Sequence, residues 1–223
     1  MRSIRNIARF ARSILNPRAR MEAAFTPFYT ENRWGDSESV SGPGSTLTRT
    51  SKLRQELPLL LREIRVHTLL DAGCGDFNWM KDTELGVENY IGVDVVPELV
   101  ERNQRLYGNE RRRFILGELT RDKLPQVDVI LCRDCLIHFS YKDIAAAIRN
   151  FKRSGSTYLL TNTYPLWTRN EDIRTEEFRH INLLLSPFSF PPPISEIEEK
   201  YPDEAEAFFG KTLALWKLNT MHK

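Results

Sequence analysis

Residues 69–77, Leu69-Leu70-Asp71-Ala72-Gly73-Cys74-Gly75-Asp76-Phe77, decide the fold. Two apolar residues and an acid that run into two glycines one residue apart read as a buried strand entering a tight turn. The segment Asn78 to Asp82 behind it has helical character. In open α/β sheets, nucleotide-like ligands sit at such strand-to-helix turns. Glycine there lets the backbone approach a ligand where a Cβ would collide. A lone G-x-G is common in turns of every kind, so its meaning depends on what the rest of the chain supplies.

Outward from this turn, strands and helices alternate. Thr48 to Arg65 carries Leu53, Leu57, Leu60, Leu61 and Ile64 on one helical face, with Pro58 expected to kink it or to begin a second helix. It feeds the strand Thr68–Asp71. Strands are then expected at Tyr90–Asp94, Phe114–Glu118, Val127–Cys132 and Ser156–Thr161, with helices at Glu98–Tyr107 and Lys142–Phe151. Ile181–Phe190 and Thr212–Leu218 read as two last strands, with Pro191-Pro192-Pro193 breaking the chain between them. Alternation at this spacing indicates an α/β fold, a mostly parallel sheet with helices on both faces. There are no internal repeats.

The 223 residues suit one domain with additions, and 41% hydrophobic with 28% charged residues is ordinary globular composition. The net charge of +2 is uneven. Residues 1–20 hold Arg2, Arg5, Arg9, Arg12, Arg18 and Arg20 and no acid; the 32 basic residues less these six leave 26 against 30 acids. Bulk charge therefore gives no basic nucleic-acid surface. Ile4, Ile7, Ala8, Ala11, Ile14 and Leu15 recur at helical spacing among the arginines, a basic amphipathic helix ending near Pro17. Three readings follow: a weak membrane-surface contact, an organellar presequence, or a helix packed on the domain or frayed from it. Three cysteines without a secretory signal argue against a disulfide framework and for a reducing compartment. No apolar run approaches a membrane span. Phe25 to Ser45 begins aromatic and ends rich in glycine, proline and serine, a loop acting as a lid or as a linker.

A nicotinamide cofactor requires G-x-G-x-x-G, and Asn78 occupies the third glycine's place. Asp76 at a helix start would also repel a pyrophosphate. A ligand without phosphate fits better, and S-adenosylmethionine is one. Asp71 at the strand end suits its ammonium. Asp94, 19 residues after Gly75 and ending the next strand, suits the two ribose hydroxyls. Glu118 with Leu119 suits the adenine. Each acid alone has an ordinary structural explanation; three at consecutive strand ends behind a G-x-G do not.

These residues resemble the class I S-adenosylmethionine-dependent methyltransferases, through LLDAGCGDF, YIGVD, FILGEL and VDVILCRDCLIHFS. The resemblance covers roughly residues 66–165. It implies a Rossmann-like, mostly parallel seven-stranded sheet and S-adenosylmethionine as cofactor, with Asp71, Gly73 and Gly75 around the methionine part, Asp94 at the ribose and Glu118 near the adenine. Two departures stand out: Phe77 replaces the usual third glycine, and Glu118 replaces the more common aspartate. Phe77 is expected to pack beside the cofactor tail. NRWGDSESVSGPGS, CRDCLIHFS and FRHINLLLSPFSFPPP further resemble an uncharacterised bacterial methyltransferase subgroup.

Candidates for the acceptor follow the fourth and fifth strands, since ligands bind at the carboxyl ends of parallel strands. They are Arg133, Asp134 and His138, then Thr161, Asn162 and Thr163. His138 is the best base by intrinsic pKa, with Asp134 as its catalytic companion. Arg133 is placed with the cofactor, or with an acidic acceptor, or in a pair with Asp134. Trp34, Asn162 and Arg179, the last beside His180, are the candidate acceptor contacts. Cys132 and Cys135 form a C-x-x-C, but a zinc site needs a second pair and none exists, so no metal is expected. Arg111-Arg112-Arg113 reads as a solvated turn.

The expected organisation is a basic segment over residues 1–22, lid loop and N-terminal helices over 23–65, and the cofactor-binding domain over 66–223. The expected activity is transfer of a methyl group to a small molecule, a sugar or amino-acid derivative, in the cytoplasm. Two rivals are a protein side chain as acceptor, and a module that holds the cofactor without catalysis.

Overall fold

The computed structural model describes residues 17–199 and 210–221, so most of the basic segment lies outside the described residues. Seven strands form one sheet: β1 (Thr68–Ala72), β2 (Asn89–Asp94), β3 (Arg112–Leu116), β4 (Val129–Cys132), β5 (Tyr158–Thr163), β6 (Ser195–Glu198) and β7 (Thr212–Lys217). Their order is β3-β2-β1-β4-β5-β7-β6. The first five run parallel, and β7 inserts antiparallel to both β5 and β6. The sheet order reverses between β1 and β4, where a cleft opens at the carboxyl ends of the strands. This is the Rossmann-like, mostly parallel sheet expected.

Among the described residues the α-helices are α1 (Pro17–Thr30), α2 (Ser51–Glu63), α3 (Pro97–Tyr107) and α4 (Tyr141–Arg153). Strand residues point alternately to the two faces, and two cores result. Leu69, Val129, Leu131, Leu213 and Leu215 pack with Leu53, Leu57 and Leu61 of α2 and Val100 of α3. Their neighbours Leu70, Ile130, Cys132, Ala214 and Trp216 pack with Ile144, Ala147, Ile148 and Phe151 of α4, and with Met21 of α1. Segments assigned separate roles in the sequence thus form layers of one body. Arg20, the last arginine of the basic segment, pairs with Asp143 in the first turn of α4 at 2.7 Å.

Several boundaries differ from expectation. Helix α1 runs from Pro17 through Thr30, so Phe25–Thr30 is helical rather than loop. Helix α2 is a single helix with Pro58 inside it; four buried leucines hold it across the missing N–H. Behind the glycine turn stands only a 3₁₀ turn, Met80–Asp82. Strand β3 is shifted toward Arg112, and Arg112 and Arg113 belong to this edge strand rather than to a turn. Charged residues are at home on an edge. Residues 181–190 pair with no strand; Ile181 and Leu183 are buried instead under the end of β5, where Tyr164 N–H donates to the Ile181 carbonyl. The sixth strand forms after the prolines.

Candidate functional site

The carboxyl ends of β1, β2 and β4, the loop 34–45 and helix α1 enclose a cavity of about 220 Å³. Of the expected site residues, Asp71, Gly73, Gly75, Asp94, Glu118, Leu119, Arg133, Asp134, His138 and Trp34 line it. Phe77, Asn162 and Arg179 do not.

The glycine turn is built for close approach. Gly73 and Gly75 adopt φ of 83° and 56°, the left-handed region that favours glycine. A Cβ on Gly73 would press on Cys135 Sγ at 3.1 Å, and one on Gly75 would collide with Ser41 Oγ. Gly75 N–H donates to Asp94 Oδ2 at 3.1 Å, and Val96 N–H donates to Asp94 Oδ1 at 3.1 Å. Burial raises the Asp94 carboxyl above its ordinary range, against these backbone bonds. Asp71 is more strongly affected: burial pushes it up to about 7, opposed by the Tyr90 hydroxyl, which donates to Oδ2 at 2.6 Å. The Asp94 charge pushes the same way as burial, and Arg133 opposes it.

Glu118 is 1% exposed. Its Oε1 accepts from the Thr120 N–H and hydroxyl, while Oε2 is buried without a hydrogen-bond partner, with Arg121 Nε 4.0 Å away. A buried carboxylate oxygen without a hydrogen-bond partner is costly, and Glu118 lines the cavity. The glycine cradle, the carboxylates Asp71 and Asp94, this unpartnered oxygen and the apolar Val95, Val96, Leu99 and Leu119 together fit an adenosine with a cationic amino-acid tail.

The loop over the turn is no linker. The Asp76 carboxylate accepts from Ser39 Oγ at 2.9 Å, Val40 N–H at 2.9 Å and Ser41 Oγ at 3.1 Å, while Asp76 N–H donates to Ser41 Oγ at 2.8 Å. Glu38 accepts from Asn78 Nδ2 and Leu47 N–H, both at 2.7 Å. Asp76, noticed in the sequence only as hostile to pyrophosphate, is the anchor of a cover whose residues 40–45 line the cavity.

Phe77 lies elsewhere than expected. With φ of 62° its ring enters an aromatic cluster with Tyr90 (5.2 Å), Tyr107 (5.1 Å) and Phe114 (5.1 Å), under the Arg112 guanidinium at 4.9 Å. It supports β2 from the opposite side of the turn and does not pack beside the cavity.

Past β4, Arg133 and Asp134 sit in a buried ionic network. Arg133 donates to Glu199 Oε2 at 2.6 Å and to the Gly44 carbonyl at 2.9 Å, and its Nη1 stands 3.1 Å from Asp134. Lys211, 0% exposed, lies 2.6 and 2.7 Å from the two Asp134 oxygens. Asn162 serves this network: Oδ1 accepts from Asp134 N–H at 2.6 Å, and Nδ2 donates to Glu199 at 2.7 Å. It is therefore a brace rather than an acceptor contact. Asp134 is held by two cations, and Arg133 is occupied by its partners. Arg179 is also a brace, donating to the carbonyls of Leu136, Ile137 and Phe139 at 2.7–3.0 Å; burial lowers its pKa to about 10. Thr161 donates to the Cys132 carbonyl, and Thr163 accepts from Leu183 N–H.

His138 faces the cavity with a defined tautomer. Nδ1 donates to the Glu177 carbonyl at 3.0 Å, which leaves the lone pair on Nε2; Nε2 has no hydrogen-bond partner among the described residues. Burial lowers its pKa below the ordinary histidine value, the Glu177 carbonyl and Asp134 opposing and Arg179 and Lys211 reinforcing. The ring lies 5.7 Å from Trp34 and 5.9 Å from Phe178. Burial holds the Cys74 thiol well above its usual range, and for Cys135 a hydrogen bond with Cys132 and burial do the same.

Sequence reasoning missed Tyr90, Ser41, Glu199 and Lys211, and the aromatic wall of Phe25, Tyr29, Phe139 and Phe178. The density of aromatics in Phe25-Thr26-Pro27-Phe28-Tyr29 was the one available signal for that wall.

Residues 69–155 match the family model described as a methyltransferase domain. The chain matches no curated protein. Among solved structures, it is similar to magnesium protoporphyrin IX methyltransferase from Synechocystis PCC 6803, with 14% identity, a TM-score of 0.59 and coverage of 88% of this chain and 97% of that one. It is similar to an N-methyltransferase from Bradyrhizobium japonicum WM9, crystallised with S-adenosylhomocysteine, with 12% identity, a TM-score of 0.60 and coverage of 85% and 97%. A third is 1,6-didemethyltoxoflavin-N1-methyltransferase from Burkholderia thailandensis, with 17% identity, a TM-score of 0.60 and coverage of 88% and 86%.

Proposed function

We propose that this chain, which carries a class I S-adenosylmethionine-dependent methyltransferase domain over residues 69–155, uses its cavity to pass a methyl group to a small-molecule acceptor. One observation carries the reading. Asp71 is the last residue but one of β1, Asp94 ends β2 and Glu118 follows β3, all three lining one cavity beside the Gly73–Gly75 turn, and Glu118 keeps an oxygen without a hydrogen-bond partner. The three solved relatives are methyltransferases, two of them named for small acceptors, magnesium protoporphyrin IX and 1,6-didemethyltoxoflavin.

S-adenosylmethionine supplies a methyl carbon already activated by its sulfonium. The work left to the protein is holding the two reactants in line and close, worth roughly 7–11 kcal/mol in well-oriented systems. In this reading Asp71 holds the ammonium, and its charged form is the one that binds. Asp94 accepts from the ribose hydroxyls while its backbone bonds to Gly75 and Val96 fix its orientation. Glu118 would accept from the adenine amine, and Leu119, Val95 and Leu99 would wall the base. Residues 40–45, pinned by Asp76, cover the site and exclude water. His138 Nε2 takes the acceptor's proton.

The test uses radiolabelled S-adenosylmethionine with the purified protein, a small-molecule metabolite fraction and, in a separate arm, an added protein extract. Label in a small-molecule product is expected. Label confined to added protein substrate, or retained wholly on the cofactor, contradicts the reading.

A further inference from the structure

The part of the cavity around His138 is walled by rings from separate segments: Phe25 and Tyr29 of α1, Trp34 of the loop, Phe139 beyond β4, and Phe178. Phe25 meets Phe139 at 5.9 Å, and the His138 ring lies 5.7 Å from Trp34 and 5.9 Å from Phe178. Phe178 is 46% exposed, a large apolar side chain at the surface that a flat ligand would cover. Charge is scarce here. Among the described residues lining the cavity, Arg133 is the one lysine or arginine, and Glu199, Asp134 and the Gly44 carbonyl engage it. Asp134 is likewise held by Lys211. Among the described residues lining the cavity, a phosphate or carboxylate would find no cation that is not already engaged by an acid. A sugar, with a hydroxyl on nearly every carbon, would bury polar groups against rings at a cost for each.

Resting on the methyltransferase reading, we infer that the acceptor is an uncharged, flat, largely apolar molecule bearing a phenol-like hydroxyl, laid against Trp34 and Phe178 with that hydroxyl at His138 Nε2. This replaces the sugar and amino-acid derivatives expected from the sequence. A neutral amine needs no base before it is methylated; a hydroxyl does. The imidazole is pinned through Nδ1 so that a lone pair, not an N–H, meets the ligand. The acceptor O–H bond breaks and its proton goes to Nε2. The oxygen forms a bond to the methyl carbon, and the electron pair of the broken carbon–sulfur bond stays on sulfur, which loses its positive charge.

The experiment begins without cofactor, by calorimetric titration of the full chain with 2-naphthol, 2-naphthoic acid and methyl glucoside. Naphthol is expected to bind about tenfold tighter than either of the others, and Trp34→Ala and Phe178→Ala each to weaken it several-fold, up to about tenfold. Thermal melts accompany each variant; Phe178, half exposed, is the variant expected to fold normally. Labelled S-adenosylmethionine is then expected to yield 2-methoxynaphthalene. His138→Gln should retain naphthol binding and lose turnover by about 10²–10⁴-fold. Tighter binding of the naphthoate or glucoside, equal binding by the Trp34 and Phe178 variants, or undiminished turnover in His138→Gln overturns the inference. A separate titration with S-adenosylmethionine keeps the two readings apart. Cofactor binding without naphthol binding removes the acceptor class alone, whereas no cofactor binding removes the methyltransferase reading itself.

Discussion

The two halves of the cavity are made of different materials. The cofactor half is backbone and carboxylate: a glycine turn, Asp71 and Asp94 at neighbouring strand ends, and Glu118 just past the next one. Its parts come from β1–β3, consecutive in sequence and adjacent in the sheet. The acceptor half, across the switch between β1 and β4, is side chain: rings from α1, from the loop and from residues 138–178, with one histidine among them. A site that must always hold one molecule can rely on fixed strand ends. A site whose ligand differs between relatives is assembled from loops and added helices, where side chains change without disturbing the sheet.

The comparison can be broken by variants that ought to affect one half only. The largest effect belongs to His138→Gln, expected to lower turnover by about 10²–10⁴-fold while cofactor affinity stays unchanged; a parallel loss of cofactor affinity would show that the halves are not separate. In wild type, turnover should fall as pH drops through a value below the ordinary histidine pKa of 6.5, because burial disfavours the imidazolium. Next, Asp76→Ala leaves Ser39 and Ser41 hydroxyls and the Val40 N–H without their acceptor. Destabilisation of about 3 kcal/mol is expected in urea unfolding, together with weaker cofactor binding as the cover loosens. Asp94→Asn removes charge but keeps an acceptor for Gly75, and should weaken S-adenosylmethionine by about 10–100-fold, since a hydrogen bond to a charged group is worth about 1.5–3 kcal/mol.

The smallest effect sharpens the role of Asp71. Its pKa of about 7 stands above the ordinary 3.8, so the folded protein binds a proton there that the unfolded chain releases. The stability this group contributes is present below about pH 4 and is lost as pH rises toward 7. A cationic ligand tail favours the charged form, so cofactor affinity should climb up to about tenfold per pH unit toward 7 and then level off. Calorimetry at pH 6 in buffers of different ionisation enthalpy should register proton release. Tyr90→Phe, which removes the bond favouring the charged carboxylate, should move the plateau upward; an unmoved plateau would assign the proton to another group.

Legibility in the sequence followed the same division. Leu69 to Gly75 and Tyr90 to Asp94 could be read because strand alternation, glycine and a terminal acid are local signals. The same logic misplaced residues 181–190, where apolar residues are buried beneath a strand end rather than paired. It also misplaced Phe77, whose positive φ turns the ring into the Tyr90–Phe114 cluster. Asn162 looked like a ligand contact because it is polar and follows an expected strand end, and Arg179 because it stands beside His180 in the late insertion. Their partners, Glu199 and the carbonyls of residues 136–139, lie too far along the chain for spacing to reveal. Asp134 hides its neutralising Lys211, 77 residues away, in the same manner.

The central claim is that the strand-end carboxylates and the glycine turn form a cofactor site independent of the aromatic half. Isothermal titration of S-adenosylmethionine into wild type, Asp94→Asn and Phe178→Ala tests it most directly. Binding to wild type, equal binding to Phe178→Ala and a loss of about 10–100-fold in Asp94→Asn are expected. Binding that survives Asp94→Asn undiminished, or no binding to the wild type at all, would contradict it.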